Sequence, residues 1–324
     1  MSISEIFLTY RDDLTAVENK LREIFSSDST AIRLIGEHIL SSGGKRLRPL
    51  FLILSADLAG YKGKDRITLA SIIEAIHTAS LLHDDVVDGA EMRRGKTASH
   101  RIWGNQIAIL VGDFLYANAL RIAVLQRNQR IMEALSEATT RMTEGEVLQL
   151  QRIADPEITE DEYMRIISAK TGALISAACR IGAILGGFRA ETEDALGRFG
   201  MKTGVVFQMV DDILDYMAEA KELGKNLGKD LDEGKITLPL IYLLKRASGT
   251  EVKEIKEIIN TEKPSSEKLE RILHLFEKYC VIEESLRKAQ SLMTQAKSEL
   301  NIFSPSQQKD ALLMLADYAI ARDR

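Results

Sequence analysis

The sequence predicts an all-α fold, and three observations carry that prediction. Apolar residues recur at spacings of three and four, as in Ile32, Leu34-Ile35 and Ile39-Leu40, then Leu69, Ile72-Ile73, Ile76 and Leu81. That is the period of a helix with one face turned inward. Strand-like alternation bounded by turn residues is scarce. Proline occurs five times in 324 residues, at 49, 156, 239, 264 and 305, so long stretches carry no helix breaker.

Taken in order, the helices are separated by short breaks. These fall at Ser42-Gly43-Gly44, at Gly60-Tyr61-Lys62-Gly63, at Ala154-Asp155-Pro156, from Glu222 to Gly234, from Thr261 to Ser266 and at Ser304-Pro305-Ser306. Each reads as a connection between helices. None is a long Ser/Gly-rich linker, so a single domain over residues 1–324 is expected. Residues 69–88 and 201–219 are apolar on most sides, which predicts central helices wrapped by others.

Charge and cysteine usage exclude several classes. The 43 Lys+Arg against 48 Asp+Glu leave a net charge of −5, the wrong sign for a general nucleic-acid binder. Cys179 and Cys280 lie far apart with no CxxC pair or Cys/His cluster. A disulfide framework or structural zinc is therefore not expected, and a cytoplasmic, reducing setting is. The opening MSISEIFLTYRDD lacks a basic segment followed by an apolar run, so it does not read as a signal peptide. No apolar run is expected to reach the roughly 18 residues of a membrane span.

One motif occurs twice. Leu82-His83-Asp84-Asp85-Val86-Val87-Asp88 echoes Met209-Val210-Asp211-Asp212-Ile213-Leu214-Asp215, 127 residues later. At about 100° per residue the three aspartates of each DDxxD fall within about 100° of one another, on one side of a helix. Carboxylates crowded on an apolar helix repel and are costly to bury unpaired. A hard cation such as Mg²⁺ resolves the conflict, because it prefers carboxylate and phosphate oxygens. The bland alternative, a solvated acidic helix end, fits poorly with two such clusters on apolar helices. A di-iron carboxylate bundle needs Glu-x-x-His on two helices. The chain offers one, Glu74-Ala75-Ile76-His77.

Acids bridged by metal call for an anionic substrate, and cations should flank them. Gly43-Gly44-Lys45-Arg46-Leu47-Arg48-Pro49 sets three cations in a Gly-led loop entering a helix, an arrangement that suits phosphate. Arg93-Arg94-Gly95-Lys96 follows Asp88 closely, Lys170-Thr171-Gly172 interrupts an apolar helix, and Gly224-Lys225 through Lys229 to Lys235 follows the second acid cluster. His77 lies two helical turns before Asp84 on the same face, and Gln208 lies on the acid face of the second helix. Gln149 is a weaker candidate, since exposed glutamine is common.

GGKRLRP, IHTASLLHDDVVDGAEMRRG, KTG, FQMVDDILD and GKNLGKDLDEGKITLP, in this order, resemble the trans-polyprenyl diphosphate synthases. The resemblance is strong from about residue 35 to 240. It implies helices around a central cavity, as in isoprenoid synthases, and usually a homodimer. It implies head-to-tail condensation of isopentenyl diphosphate onto an allylic diphosphate with about two or three Mg²⁺ ions per site. Carried over by position, Asp84, Asp88 and Asp211 would bind Mg²⁺, with Asp85, Asp212 and Asp215 ligating or supporting through water. Arg93, Lys170 with its neighbour Thr171, and Lys235 would hold the allylic diphosphate, with Gln208 and Lys225 near it. Lys45, Arg48, His77 and Arg94 would hold isopentenyl diphosphate, with Gly44 allowing close backbone approach. Lys229 departs from the pattern, adding a cation where many relatives have an uncharged residue. A terpene cyclase and a non-catalytic synthase subunit are the rival readings. The second basic site argues against the first, and the complete acid clusters argue against the second.

Product length turns on the helix beneath Asp84. Ser80 lies about one turn below it, with Ala79 beside it, and Ile76 and Ile73 lie deeper. Relatives with short products tend to carry Phe or Tyr at the positions of Ala79 and Ser80. Small residues here read as an open channel, and the resemblance then implies a product near C40 serving as a quinone side chain. A shorter product of C15–C20 stays open, since another helix could supply the floor.

Overall fold

The computed structural model describes residues 2–217, 228–261 and 266–321. The chain is all-α as expected. Its helices are α1 Ile3–Thr9, α2 Arg11–Ile24, α3 Thr30–Leu40, α4 Leu47–Leu58, α5 Asp65–Val87, α6 Ser99–Trp103, α7 Asn105–Leu125, α8 Gln129–Gln151 and α9 Glu160–Ile167. They continue with α10 Ala173–Leu185, α11 Ala190–Leu214, α12 Lys229–Asp232, α13 Leu238–Arg246, α14 Gly249–Ile259, α15 Ser266–Tyr279, α16 Val281–Ser298 and α17 Gln307–Ile320. The expected breaks at 42–44, 60–63, 154–156 and 304–306 all fall between helices. The helix expected over 201–219 starts earlier, at Ala190, and ends at Leu214. Lys225 lies outside the described residues.

The chain divides into two compact units interleaved in sequence. The first comprises residues 1–139, 174–200 and 302–314. Its centre is α5, where Leu69, Ile72, Ile73, Ala75, Ile76 and Ala79 are wholly buried. α2, α4 and α7 pack around it. α4 is buried from Pro49 to Asp57, and Phe51 meets Phe199 edge to face at 6.2 Å. α10 approaches α4 backbone to backbone: a Cβ on Gly182 would lie 2.6 Å from the Ala56 amide nitrogen and the Leu52 carbonyl oxygen. α2 and the α1–α2 junction are tied down by a buried ion network, in which Arg66 bonds Asp57 at 2.5 Å and Asp13 at 2.9 Å while the Tyr10 hydroxyl donates to Asp57 at 3.0 Å.

The periodicity gave no sign of a two-residue antiparallel hairpin, β1 Met92–Arg93 and β2 Lys96–Thr97. Its turn residues Arg94 and Gly95 have φ of 50° and 75°. Two consecutive positive values are what a tight two-residue hairpin of type I′ demands.

The second unit comprises residues 140–173, 201–301 and 315–324. α13 packs on α9, α15 and α16, and Tyr216 meets Phe276 edge to face at 5.0 Å. One turn of π-helix, Ser168–Gly172, follows α9.

Two stretches reach the length and hydropathy of a membrane span, contrary to the expectation that none would. Glu160–Leu185 is 78% buried, as core helices are, whereas Asn105–Leu125 is only 33% buried. Ile107, Ile109, Leu110, Val124 and Leu125 of α7 are exposed.

Gly182→Ala should destabilise the protein by about 1–3 kcal/mol, because the added methyl meets backbone that cannot rotate away. Gly249→Ala meets nothing within 4 Å and should stabilise by about 0.4–1 kcal/mol through the unfolded chain. Urea midpoints of the two variants check both signs.

Candidate active site

In the first unit the acidic motif closes α5. Asp84 lies within the helix and Asp88 is its C-cap, with no basic residue in the last turn. Carboxylates at this end oppose the helix dipole. The three acids are not equivalent. Asp85 is 4% exposed and accepts from Arg93 Nε at 2.7 Å and also from Arg93 Nη2. Asp84 and Asp88 are half-buried.

Beside this acidic end lies a cationic pocket around His77. Arg48 Nη1 is 3.1 Å from His77 Nε2, which makes that nitrogen the acceptor of a neutral ring. Burial holds the imidazole well below its usual range, and Arg48, Arg94, Arg93 and Arg46 press it further down. Gly44 lies between two guanidinium groups, since a Cβ there would sit 2.7 Å from Arg94 Nη1 and 2.8 Å from Arg46 Nη1. Arg94 also donates to the Gly43 carbonyl. Arg46 itself faces inward. Its φ is 51° at the N-cap of α4, and it pairs with buried Glu74 at 3.0 Å and with Glu18 at 3.5 Å. The sequence offered Arg46 only as one of three cations suited to phosphate and Glu74 only in a lone Glu-x-x-His, and it did not show that the two pair. The signal was the Glu74/His77 pair on α5, which fixes what faces the basic loop.

Of the chain-length candidates only Ser80 is accessible, and its hydroxyl donates to the His77 carbonyl at 2.9 Å. Ile73, Ile76 and Ala79 have no exposed surface.

In the second unit the acidic motif again straddles a helix end: Asp211 and Asp212 lie in α11 and Asp215 just beyond it. Burial, above all, pushes the Asp212 carboxyl up to about 7, with Asp211 and Asp215 adding repulsion while Tyr163 and Gln208 oppose the rise. Asp215 is raised by burial as well, and Asp230 of α12 well raised by burial and then by Asp212 and Asp215. The Asp230 amide donates to Asp215 Oδ2 at 2.9 Å, so α12 is docked on the motif by one of its own carboxylates.

The π-turn lets adjacent residues of one helical path reach this motif's surroundings. Lys170 Nζ lies 2.5 Å from Gln149 Oε1 and 2.8 Å from Glu146. Thr171 donates to Gln208 Oε1 at 2.8 Å, Gln208 Nε2 donates to Asp212 Oδ1 at 2.8 Å, and the Tyr163 hydroxyl donates to Asp212 Oδ2 at 2.7 Å. Lys235 rests on Glu233 at 2.6 Å, and Lys229 joins the same carboxylate at 3.0 Å. Lys229 is thus one arm of an ion pair at the protein surface. Gln149, Lys170, Gln208, Asp212 and Lys235 line one cleft of about 90 Å³ with Tyr163.

The donor set fits a hard divalent cation. Carboxylates whose affinity for protons is raised by burial and mutual repulsion hold negative charge without enough compensation. Among the described residues, no three acidic, histidine or cysteine side chains converge to cage an ion alone.

The polyprenyl synthetase family profile matches residues 29–276. The chain is 38% identical to an octaprenyl diphosphate synthase of Escherichia coli (strain K12), over 100% of each chain. It is also 38% identical to an all-trans-nonaprenyl-diphosphate synthase (geranyl-diphosphate specific) of Rhodobacter capsulatus, over 98% of this chain and 97% of that one. Its fold superposes with a TM-score of 0.93, at 37% identity and over 99% and 98% of the two chains, on a polyprenyl synthase from Caulobacter crescentus CB15 complexed with calcium and isoprenyl diphosphate.

The neutral His77 gives a pH prediction. Its folded pKa lies below the ordinary 6.5. As pH falls through that value the unfolded chain takes up a proton that the folded chain refuses. Stability from this group is therefore complete above pH 6.5 and is lost toward lower pH. The His77 ring should show no protonation by ¹⁵N NMR at about pH 6, half a unit below an ordinary histidine midpoint. His77→Gln should lessen the acid-side loss of stability in urea titrations at successive pH values.

Proposed function

This chain belongs to the polyprenyl synthetase family, and on that premise we propose that it extends an allylic diphosphate with isopentenyl diphosphate, head to tail, to an all-trans polyprenyl diphosphate near C40. It is a prenyltransferase. The observation that carries the substrate assignment is the cationic pocket around His77, with four arginines contributing to one neutral ring. A diphosphate suits such a gathering of guanidinium groups, since arginine binds it bidentately.

In this reading Lys45, Arg48, His77 and Arg94 hold isopentenyl diphosphate over Gly44, whose lack of a side chain leaves room for both guanidinium groups. Arg93, fixed by Asp85, Lys170 and Lys235 hold the allylic diphosphate, with Thr171, Gln208 and Lys225 near it. Asp84, Asp88, Asp211 and Asp215 supply oxygens for Mg²⁺, which when bound stabilises charge developing on the departing diphosphate. Lys170 exchanges Glu146 and Gln149 for phosphate as substrate enters. The allylic C–O bond breaks to a cation, and the isopentenyl double bond attacks it. The departing diphosphate takes the proton then released, as no side-chain base is evident. Apolar α5 and α11 residues exclude water that would quench the cation.

A product near C40 is supported by full-length similarity to an octaprenyl diphosphate synthase, and a C40 chain would serve as a quinone side chain. The shorter C15–C20 reading draws on one observation, the complete burial of Ile73, Ile76 and Ala79. A homodimer is supported by the exposed apolar face of α7, which a second copy would cover. A cytoplasmic setting is supported by two unpaired cysteines, Cys179 buried and Cys280 exposed.

Two measurements test this reading. EDTA should abolish incorporation of radiolabelled isopentenyl diphosphate and Mg²⁺ should restore it, while Asp84→Ala should lower kcat by more than ~100-fold. A loss of tenfold or less in that variant would move the chemistry elsewhere. Product analysis by mass spectrometry should give C40 for the wild type and C15–C20 for Ser80→Phe, with the first condensation intact. Ser80 is the informative position, because an aromatic at Ala79 would also overpack a closed core.

A further inference from the structure

Tyr163 belongs to no motif, yet it ends a chain of hydrogen bonds that runs through the second acidic cluster. The chain is Tyr163, Asp212, Gln208 and Thr171, with three bonds between 2.7 and 2.8 Å. Tyr163 and Asp212 are 3% and 6% exposed. Both oxygens of Asp212 are engaged, one by a phenol and one by an amide. With Asp212 ionised the direction of the chain follows. Asp212 only accepts when ionised, so Gln208 must turn its NH₂ toward it and its carbonyl toward the Thr171 hydroxyl. Tyr163 and Thr171 lie on the α9 path and its π-turn, whereas Gln208 and Asp212 lie four apart on α11. The four side chains therefore form two rungs that lock one helical path to the other. Lys170, between the rungs and adjacent to Thr171, takes its place from them.

We propose that Tyr163 is a positioning residue for the allylic diphosphate site, and that Asp212, alone among the acids of its motif, serves as the brace it holds rather than as a metal ligand. This rests on the assignment of Lys170 and Gln208 to that diphosphate. Tyr163 spends its hydroxyl on Asp212. It acts by keeping Asp212 turned inward, which orients Gln208 and fixes the π-turn that presents Lys170. A phenylalanine keeps the ring and its packing and removes the one donor to Asp212 Oδ2. Thr171→Val removes the donor at the other end of the same chain at nearly constant volume.

The brace also predicts how an amide at position 212 behaves. In Asp212→Asn, the carbonyl of the new amide still accepts from Tyr163 while its NH₂ faces Gln208. Gln208 can then reverse, accepting from that NH₂ and donating to Thr171, so every group stays paired with all directions beyond Tyr163 inverted. A metal ligand offers no such rescue.

The test uses the full chain with Mg²⁺, isopentenyl diphosphate and a C15 allylic diphosphate. Tyr163→Phe and Thr171→Val should each lower kcat/KM for the allylic substrate by about tenfold, the scale for losing a supporting hydrogen bond behind a site. KM for isopentenyl diphosphate should stay within about twofold. The double variant should be no worse than the poorer single one, because both cut one chain. In Asp212→Asn the Mg²⁺ concentration for half-maximal rate should stay within about twofold of wild type. Circular dichroism confirms folding of each variant, and Asp212→Asn carries the test if Tyr163→Phe does not fold. Wild-type kinetics in folded Tyr163→Phe, additive losses in the double variant, or an approximately tenfold higher Mg²⁺ requirement in Asp212→Asn would each overturn the proposal. If Lys170→Ala proved as active as wild type, the underlying substrate assignment would fail instead, whatever the Tyr163 variants did.

Discussion

Like charges held together against their repulsion are the constraint on which the site depends. Each DDxxD motif places three carboxylates within about one turn, at the end of a helix whose dipole already disfavours them. The fold buries one carboxylate in each motif and keeps the others more open. Asp85 is neutralised by Arg93, and Asp212 is held by Tyr163 and Gln208. Asp84, Asp88, Asp211 and Asp215 keep solvent access. Treating the second acid separately turns a cluster of six into two pairs at i and i+4, a spacing that brings side chains together on one helix face.

The opposite problem is solved in the same way in the cationic pocket. Arg46, Arg48, Arg93 and Arg94 all act on His77, and such a concentration of positive charge would not assemble unaided. Glu74 holds Arg46, Asp85 holds Arg93, and a backbone carbonyl holds Arg94. His77 contributes by declining a proton, which keeps a fifth positive charge out and leaves its nitrogen as an acceptor for Arg48. In both places the partners come from the fold itself, so folding rather than substrate sets the geometry.

This explains what could and could not be read from the sequence. Helical periodicity is written in every turn, so the all-α class and most of the breaks were legible. The DDxxD geometry follows from 100° per residue and needs no tertiary knowledge. The partners were hidden, because they come from distant parts of the chain. In GGKRLRP nothing local says that Arg46 turns inward to pair with Glu74. That choice depends on Glu74, 28 residues away. Tyr163 sits in an ordinary amphipathic helix, and only the fold brings it to Asp212, 49 residues later. The hairpin at Arg94-Gly95 was too short for periodicity to register, although its turn chemistry was visible. Lys229 needed only its neighbour Glu233, four residues on, to be recognised as an ion pair.

The two units are prepared for substrate in opposite senses. The first gathers four arginines around His77, and in the proposed reading these cations receive a diphosphate directly. In the second, the lysines already rest on Glu146 and Glu233, while buried carboxyls bind protons more tightly than usual. An anion arriving there alone would face uncompensated acids, so it must bring cations with it. Only then do Lys170 and Lys235 have reason to leave their carboxylates for phosphate. A chain that cleaves one diphosphate and spares the other needs such a difference. On the reading proposed above, the diphosphate whose C–O bond breaks is met by metal as well as by Arg93 and lysines, and the one that is kept is met by Lys45, Arg48, His77 and Arg94 without metal.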